Sequence, residues 1–173
     1  MNGDRLQDAL NLLDYHYWAR DRMLDAVEAL TPEQYTRDLG NSFSSVRDTV
    51  VHTYLSEWVW YSRWTGTSPT NMLSPEHFPD LASVRQAWSA QEQKVRLFVQ
   101  SLAGAHQLDR IFEYRSLAGE PTRSMFWHML QHVVNHASYH RGQVTTMLRQ
   151  LGAPAPQSQD LIRYYRERLP SVH

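Results

Sequence analysis

The sequence predicts an all-α protein, a four-helix bundle with one long crossover connection. Glycine is scarce, at 7 of 173 residues, whereas glycine makes up about 7% of average proteins. Apolar residues recur at intervals of three and four more often than at intervals of two, which is typical of amphipathic helices. The length matches the usual size of one domain, so we expect a single helical-bundle domain over residues 1–173.

The first two long helices are expected in the amino-terminal third of the chain. The first runs from about Asp4 to Leu30 and is ended by Thr31-Pro32. The second runs from Ser45 to Trp64, because the Ser45 hydroxyl can cap the first free amides. Asp48 follows three residues later, as in a capping box, and Gly66 stops the helix.

Two further long helices and a short one complete the predicted bundle. The third helix spans about Leu81 to Ala103, and the fourth runs from about Thr122 to Leu151 before Gly152. Between them, residues 110–124 contain a β-type run and a turn signal at Ala118-Gly119-Glu120-Pro121, which predict a short extended excursion or hairpin. A last short helix is expected over Leu161 to Leu169.

Charge and cysteine content exclude several classes of function. Seventeen basic and eighteen acidic residues give a net formal charge of -1, so neither nucleic acid nor an anionic membrane is an expected partner. No segment offers the roughly 20 apolar residues of a membrane span, and the start lacks a secretion signal, so a cytoplasmic location is expected. The absence of cysteine excludes a disulfide framework, a cysteine zinc site and a protein-borne catalytic thiol.

Histidine is the residue type that carries chemistry here, and the predicted fourth helix concentrates it. Four histidines stand at four-residue intervals: His128, His132, His136 and His140. Neighbours in such a series lie about 6 Å apart, so only an adjacent pair can chelate one ion. On a helical wheel His140 lies about 25° and His136 about 65° from the centre of the apolar face, against about 105° for His132 and about 145° for His128. The interior pair is therefore His136 and His140.

A divalent cation in an open site usually takes three protein ligands, so a third donor should come from another helix. His52 is the first choice, because it lies in the middle of the second helix on an inward-facing side. His16 on the first helix is the competing donor and ranks second. Imidazole ligands suit zinc, nickel or a similar divalent metal.

These residues form a recognisable combination. The string His136-Ala-Ser-Tyr-His140-Arg-Gly-Gln143 on a late helix, with His52 ahead of Glu57-Trp58 on the second helix, resembles the DinB family. Tyr17-Trp18-Ala19 extends the likeness to the first helix. The resemblance implies a four-helix bundle, commonly a homodimer, that holds a divalent metal with three histidines, which by position are His52, His136 and His140.

The residues that flank the histidines narrow the possible reaction. Asn135 and Ala137 occupy the places where a zinc protease of the HExxH type has its glutamate, so that mechanism is excluded. Glu57, about one turn beyond His52, can act as a general base or orient a ligand histidine. Pairing with Arg63 or with a neighbouring helix is an equally good interpretation of Glu57. His132 is the other candidate for a supporting role at the edge of the site.

The family resemblance implies a function as well. Relatives include metal-dependent transferases that use low-molecular-weight thiols, so the leading hypothesis is a thiol S-transferase acting on a small-molecule substrate. A chain without cysteine is compatible with this reaction, since the sulfur would belong to the cosubstrate. The alternatives are a non-catalytic metal-binding stress-response protein, a hydrolase that uses metal-bound water, and a metal-free bundle with hydrogen-bonded core histidines.

Overall fold

Helices dominate the computed structural model, which describes residues 2–103 and 107–169. In these ranges the α-helices are α1 (Asn2–Val27), α2 (Pro32–Thr36), α3 (Val46–Trp64), α4 (Leu81–Ser101), α5 (Phe126–Gln150) and α6 (Leu161–Arg166). Two antiparallel strands, β1 (Ile111–Arg115) and β2 (Pro121–Met125), form the sheet that these residues contain. The expected all-α class is confirmed. None of these helices is both long and apolar enough to cross a lipid bilayer.

The four long helices pack as a bundle in which α1 and α3 each contact both α4 and α5. Helices α1 and α3 therefore lie on one diagonal, and the connection over residues 28–45 runs between them. The shared core takes large side chains from every long helix, among them Met23, Leu55, Trp88 and Leu130. This arrangement puts the histidine-bearing faces of α3 and α5 against each other.

The ends of α3 and α5 follow the signals in the sequence. The Ser45 hydroxyl accepts a hydrogen bond from the Asp48 amide at 3.1 Å and caps α3. Only the Ser45 half of the expected capping box forms, because the Asp48 carboxylate accepts from Ser44 Oγ at 3.0 Å and from Arg47 at 2.9 Å instead. Gly152 follows α5 with a φ of 71°, in the left-handed region that favours glycine.

The start of the fourth long helix was predicted four residues too early. Residues 121–125 are not helical but form β2, which pairs with β1 from Ile111↔Met125 to Arg115↔Pro121. The helix α5 begins only at Phe126, where the pairing ends. Sheet pairing with a strand earlier in the chain overrides the local helical preference here. The predicted hairpin is present, with Gly119 at a φ of 85° in its turn.

A short helix after Thr31-Pro32 was missed. Thr31-Pro32 follows α1, as expected, but also begins α2. Thr31 Oγ1 accepts from the Gln34 amide at 3.2 Å, while Gln34 Oε1 accepts from the Thr31 amide at 3.0 Å. This reciprocal capping box, with proline in the first turn, stabilises the start of a helix.

The helices α1, α4 and α6 end two or three residues before their expected ends.

One buried carboxylate joins three of the long helices. Glu57 on α3 is 2% exposed and accepts hydrogen bonds from His16 Nε2 at 2.8 Å and from the Tyr17 hydroxyl at 3.0 Å, both on α1. The Trp88 indole on α4 donates to it at 2.9 Å. Burial is the largest influence on His16 and lowers its pKa, and burial also raises the pKa of Tyr17 well above its usual value. Both side chains are therefore neutral donors to the carboxylate.

Replacing Glu57 with alanine should strongly destabilise the fold. The change leaves the buried donors of His16, Tyr17 and Trp88 without their acceptor, at a cost of about 3–5 kcal/mol in the free energy of unfolding. Urea unfolding followed by circular dichroism measures this loss. Glu57→Gln should lose less, because its amide oxygen still accepts one bond. The control Glu33→Ala, at an exposed pair with Arg37, should change stability by less than about 0.5 kcal/mol. A loss below about 1 kcal/mol for Glu57→Ala would contradict this account.

Candidate metal centre

Three histidines from two facing helices meet at one point. His52 comes from α3, and His136 and His140 come from α5. The Nε2 atom of His136 lies 3.0 Å from His140 Nε2 and 3.3 Å from His52 Nε2. The potential ligand atoms of the three residues all lie within 4.8 Å of one another. The structure thus brings together the three histidines selected from the sequence, and we call them the histidine trio.

The geometry of the histidine trio fits a divalent cation. Tetrahedral ligands at the usual metal–nitrogen distance of about 2.0–2.1 Å are separated from each other by about 3.3 Å. The distances from His136 Nε2 to the other two rings, 3.0 and 3.3 Å, are close to this value. His140 Nδ1 donates to Gln143 Oε1 at 2.7 Å, which leaves the lone pair on His140 Nε2, facing the other rings. The trio can therefore hold a metal ion, and its donor set is compatible with zinc, nickel or copper.

The three imidazoles are neutral at pH 7, which is the form that binds metal. Burial lowers the pKa of His52 to about 4, with a smaller contribution from His140. The pKa of His136 is also lowered to about 4. Burial is the largest cause, and repulsion from His140, His52 and His132 adds to it. Burial lowers the pKa of His140 as well, although the hydrogen bond that His140 donates to Gln143 acts in the opposite direction.

An aromatic ring that the sequence analysis missed supports the histidine trio. Phe43 stacks on His52 with ring centroids 4.0 Å apart and an interplanar angle of 23°. Its ring also forms a T-shaped pair with that of His140, with centroids 5.5 Å apart. It fixes the orientation of the His52 ring and covers one side of the site. Phe43 lies in the loop before α3, where no helical period marks a residue as inward-facing, so the sequence contained no signal for it.

His16, the competing metal ligand, and Glu57, the candidate general base, contact each other and lie away from the histidine trio. His16 donates to the Glu57 carboxylate in the bundle core. Glu57 follows His52 by five residues, which turns it about 140° around α3. Its carboxylate consequently faces α1 and α4, whereas His52 faces α5. Of the interpretations of Glu57 given above, the structure contains the contact with neighbouring helices.

His132 lies at the edge of the trio, beside a cavity. Its ring centroid is 5.8 Å from that of His136 and 5.1 Å from that of Trp60 on α3. A cavity of about 310 Å³ opens here, and it is lined by Trp60, Ser124, His128, Met129 and His132. The pKa of His132 is lowered by partial burial and then by Arg63, so its imidazole is neutral at pH 7. His132 therefore lies between this cavity and His136, and its neutral imidazole can accept a proton.

Comparison with known proteins identifies the family. The DinB family model matches residues 4–167. The chain belongs to the DinB family. Protein DinB of Bacillus subtilis (strain 168) is 28% identical over 153 residues, which cover 86% of this chain and 89% of that protein.

A solved structure supports the same fold. The DinB-like protein from Bacillus cereus ATCC 10987 superposes with a TM-score of 0.59, at 19% sequence identity, over 85% of this chain and 95% of that chain. At this identity the likeness concerns the fold alone. The expected homodimer and the cytoplasmic location stay predictions.

Acid should destabilise the metal-free protein through His52 and His136. Their pKa is about 4 in the folded state, against the ordinary 6.5 of an unfolded chain, so the unfolded chain takes up protons first. Their contribution to stability is fully present above about pH 6.5 and is lost as the pH falls towards about 4. Urea unfolding in chelator across this pH range measures the slope.

The double variant His52→Gln/His136→Gln isolates this effect from other titrating groups. Its free energy of unfolding should fall less steeply between about pH 6.5 and 4 than that of the wild type. His77→Gln changes an exposed histidine outside the trio and should keep the wild-type slope. If the free energy of unfolding depended on pH equally in the wild type and the double variant, His52 and His136 would not be the source of the acid sensitivity.

Proposed function

We propose that this DinB family protein is a metal-dependent enzyme that transfers a low-molecular-weight thiol to an electrophilic small molecule. The observation that carries the proposal is the convergence of three neutral imidazoles, from His52, His136 and His140. Next to His136 lies His132, which with Trp60 lines a cavity. Three neutral ligands leave a coordination position open and leave the charge of a divalent ion uncompensated, which favours an anionic cosubstrate. A thiolate fits this position, and sulfur is a ligand that zinc and copper accept readily.

Each residue of the site has a definite task in this reaction. The histidine trio holds the cation, Gln143 orients His140, and Phe43 covers one side of His52. A divalent cation held there would supply the Lewis acidity that lowers the pKa of a bound thiol. When no thiol is bound, the same cation would lower the pKa of a bound water. Trp60 and His132 line the space where the electrophile binds.

The proton and the electron pair are accounted for by residues of this chain and the two substrates. The thiol loses its proton, and the neutral His132 imidazole is placed at the cavity edge to accept it. The sulfur electron pair then forms a bond to the electrophilic carbon, and the bond from that carbon to its leaving group breaks. Because the protein has no cysteine, the sulfur comes from the cosubstrate alone.

Metal binding should depend on the histidine trio and on no other histidine of α5. Protein purified without a histidine tag should contain about one divalent ion per chain by elemental analysis. His136→Gln and His140→Gln should each weaken metal affinity by about 100-fold or more, since each removes one of three ligands. His128→Gln, an exposed position on the same helix, is the matched control and should keep the metal. Loss of metal in His128→Gln but not in His140→Gln would overturn the assignment.

Thiol transfer should require both the metal and His132. Metal-loaded protein is incubated with a panel of small bacterial thiols and a chlorinated aromatic electrophile, and the thioether product is measured by mass spectrometry. His132→Gln should reduce kcat by about 100-fold while metal content stays at the wild-type level. His77→Gln, outside the site, should have wild-type activity.

The outcomes of this assay separate the remaining functions. Product that forms only with metal present supports the transferase. A metal-loaded protein that forms no conjugate with any thiol supports the non-catalytic metal-binding function instead. Ester or amide cleavage by the same preparation without added thiol would favour the hydrolase.

A further inference from the structure

A second cavity lies away from the histidine trio. It has a volume of about 530 Å³ and lies where α5 and Tyr15 of α1 meet the segment that precedes α6. The residues that matter for its chemistry are Tyr15, Ser138, Arg141, Arg149 and Gln159. The proposed thiol transfer involves none of the residues that line this cavity.

Arg141 brings a buried positive charge to this cavity. The residue is only 3% exposed, and its Nη2 atom donates to Ser138 Oγ at 2.7 Å and to the Tyr15 hydroxyl at 3.2 Å. Its Nε and Nη1 atoms are buried and have no hydrogen-bond partner. Both of these bonds go to hydroxyl groups, and within residues 2–103 and 107–169 no carboxylate forms an ion pair with this guanidinium. Proteins rarely bury an arginine without a counter-charge, because the desolvation cost is several kcal/mol.

Gln159 adds a second unpaired donor to the same cavity. Its Nε2 atom is buried and without a partner, while its backbone carbonyl accepts from the Tyr15 hydroxyl at 3.1 Å. Tyr15 thus connects Gln159 directly to Arg141. The exposed Arg149 contributes further positive charge, and the exposed Asp160, whose carboxylate accepts from Ser158 at 2.9 Å, also lines the cavity. Buried donors of this kind, with no acceptor, call for an acceptor that carries negative charge.

We propose that this cavity binds a small oxyanion, the carboxylate or phosphate group of a small molecule, through Arg141 and Gln159. The cavity is distinct from the candidate metal centre. At 100° per residue, Ser138, Arg141 and Arg149 centre about 165° around α5 from His136 and His140. The bound anion would neutralise Arg141 and would join the segment before α6 to α1 and α5. The inference is independent of the proposed transferase reaction.

Isothermal titration calorimetry on the full chain tests the proposal with two probes. Inorganic phosphate is titrated in one arm and malonate in the other, with the ionic strength held constant with potassium chloride. Saturable binding at one site per chain is expected for at least one probe, and the stronger probe identifies the group. Arg141→Met should weaken that binding about tenfold or more, because a charge-assisted hydrogen bond is lost.

A second variant keeps the test decisive if Arg141→Met does not fold. Gln159→Glu supplies a carboxylate within the cavity, so it should abolish binding of the added anion and raise the melting temperature in anion-free buffer. The control Arg123→Gln removes an exposed arginine on β2 and should bind as the wild type does. Failure of both probes to bind the wild type, or undiminished binding by Gln159→Glu, overturns the proposal.

Discussion

The arrangement of the bundle depends on one buried acceptor, the Glu57 carboxylate. The carboxylate accepts hydrogen bonds from His16, Tyr17 and Trp88. These bonds fix the rotation of α3 about its own axis relative to α1 and α4. A rotation of α3 by even a fraction of a turn would leave buried donors unsatisfied, which is costly in a dry interior. Because His52 lies about 140° around the same helix, this constraint directs it at α5. The candidate metal centre is thus a consequence of a polar contact in which no metal ligand takes part.

Much of the site could be predicted because helical geometry is rigid. The four-residue spacing and the apolar face of the fourth long helix select His136 and His140 without knowledge of any tertiary contact. His52 follows from the same reasoning on the second long helix, and the capping residue Ser45 fixes where that helix starts. In each case the decisive information lies within a few turns of one helix.

The remaining features depend on contacts between distant parts of the chain. Whether residues 121–125 extend a helix or pair as β2 depends on Ile111 and its neighbours, which local propensity does not take into account. Phe43 reaches His52 from a loop, where no periodicity applies. Glu57 follows His52 by about one turn in the sequence, but only the packing of α1 and α4 determines that it faces away from the trio.

Helix α5 has a candidate cation site on one side and a candidate anion site on the other. On the side of His136 and His140, the Nε2 atoms of the two rings lie 3.0 Å apart, close enough for one cation to bind both. The side of Arg141 presents buried N–H groups without acceptors, an arrangement that an anion relieves. A ligand that binds only the folded state raises its stability by mass action, so each ion would stabilise the packing of α5 against a different neighbour. The cation would join α5 to α3, and the anion would join it to α1 and the segment before α6.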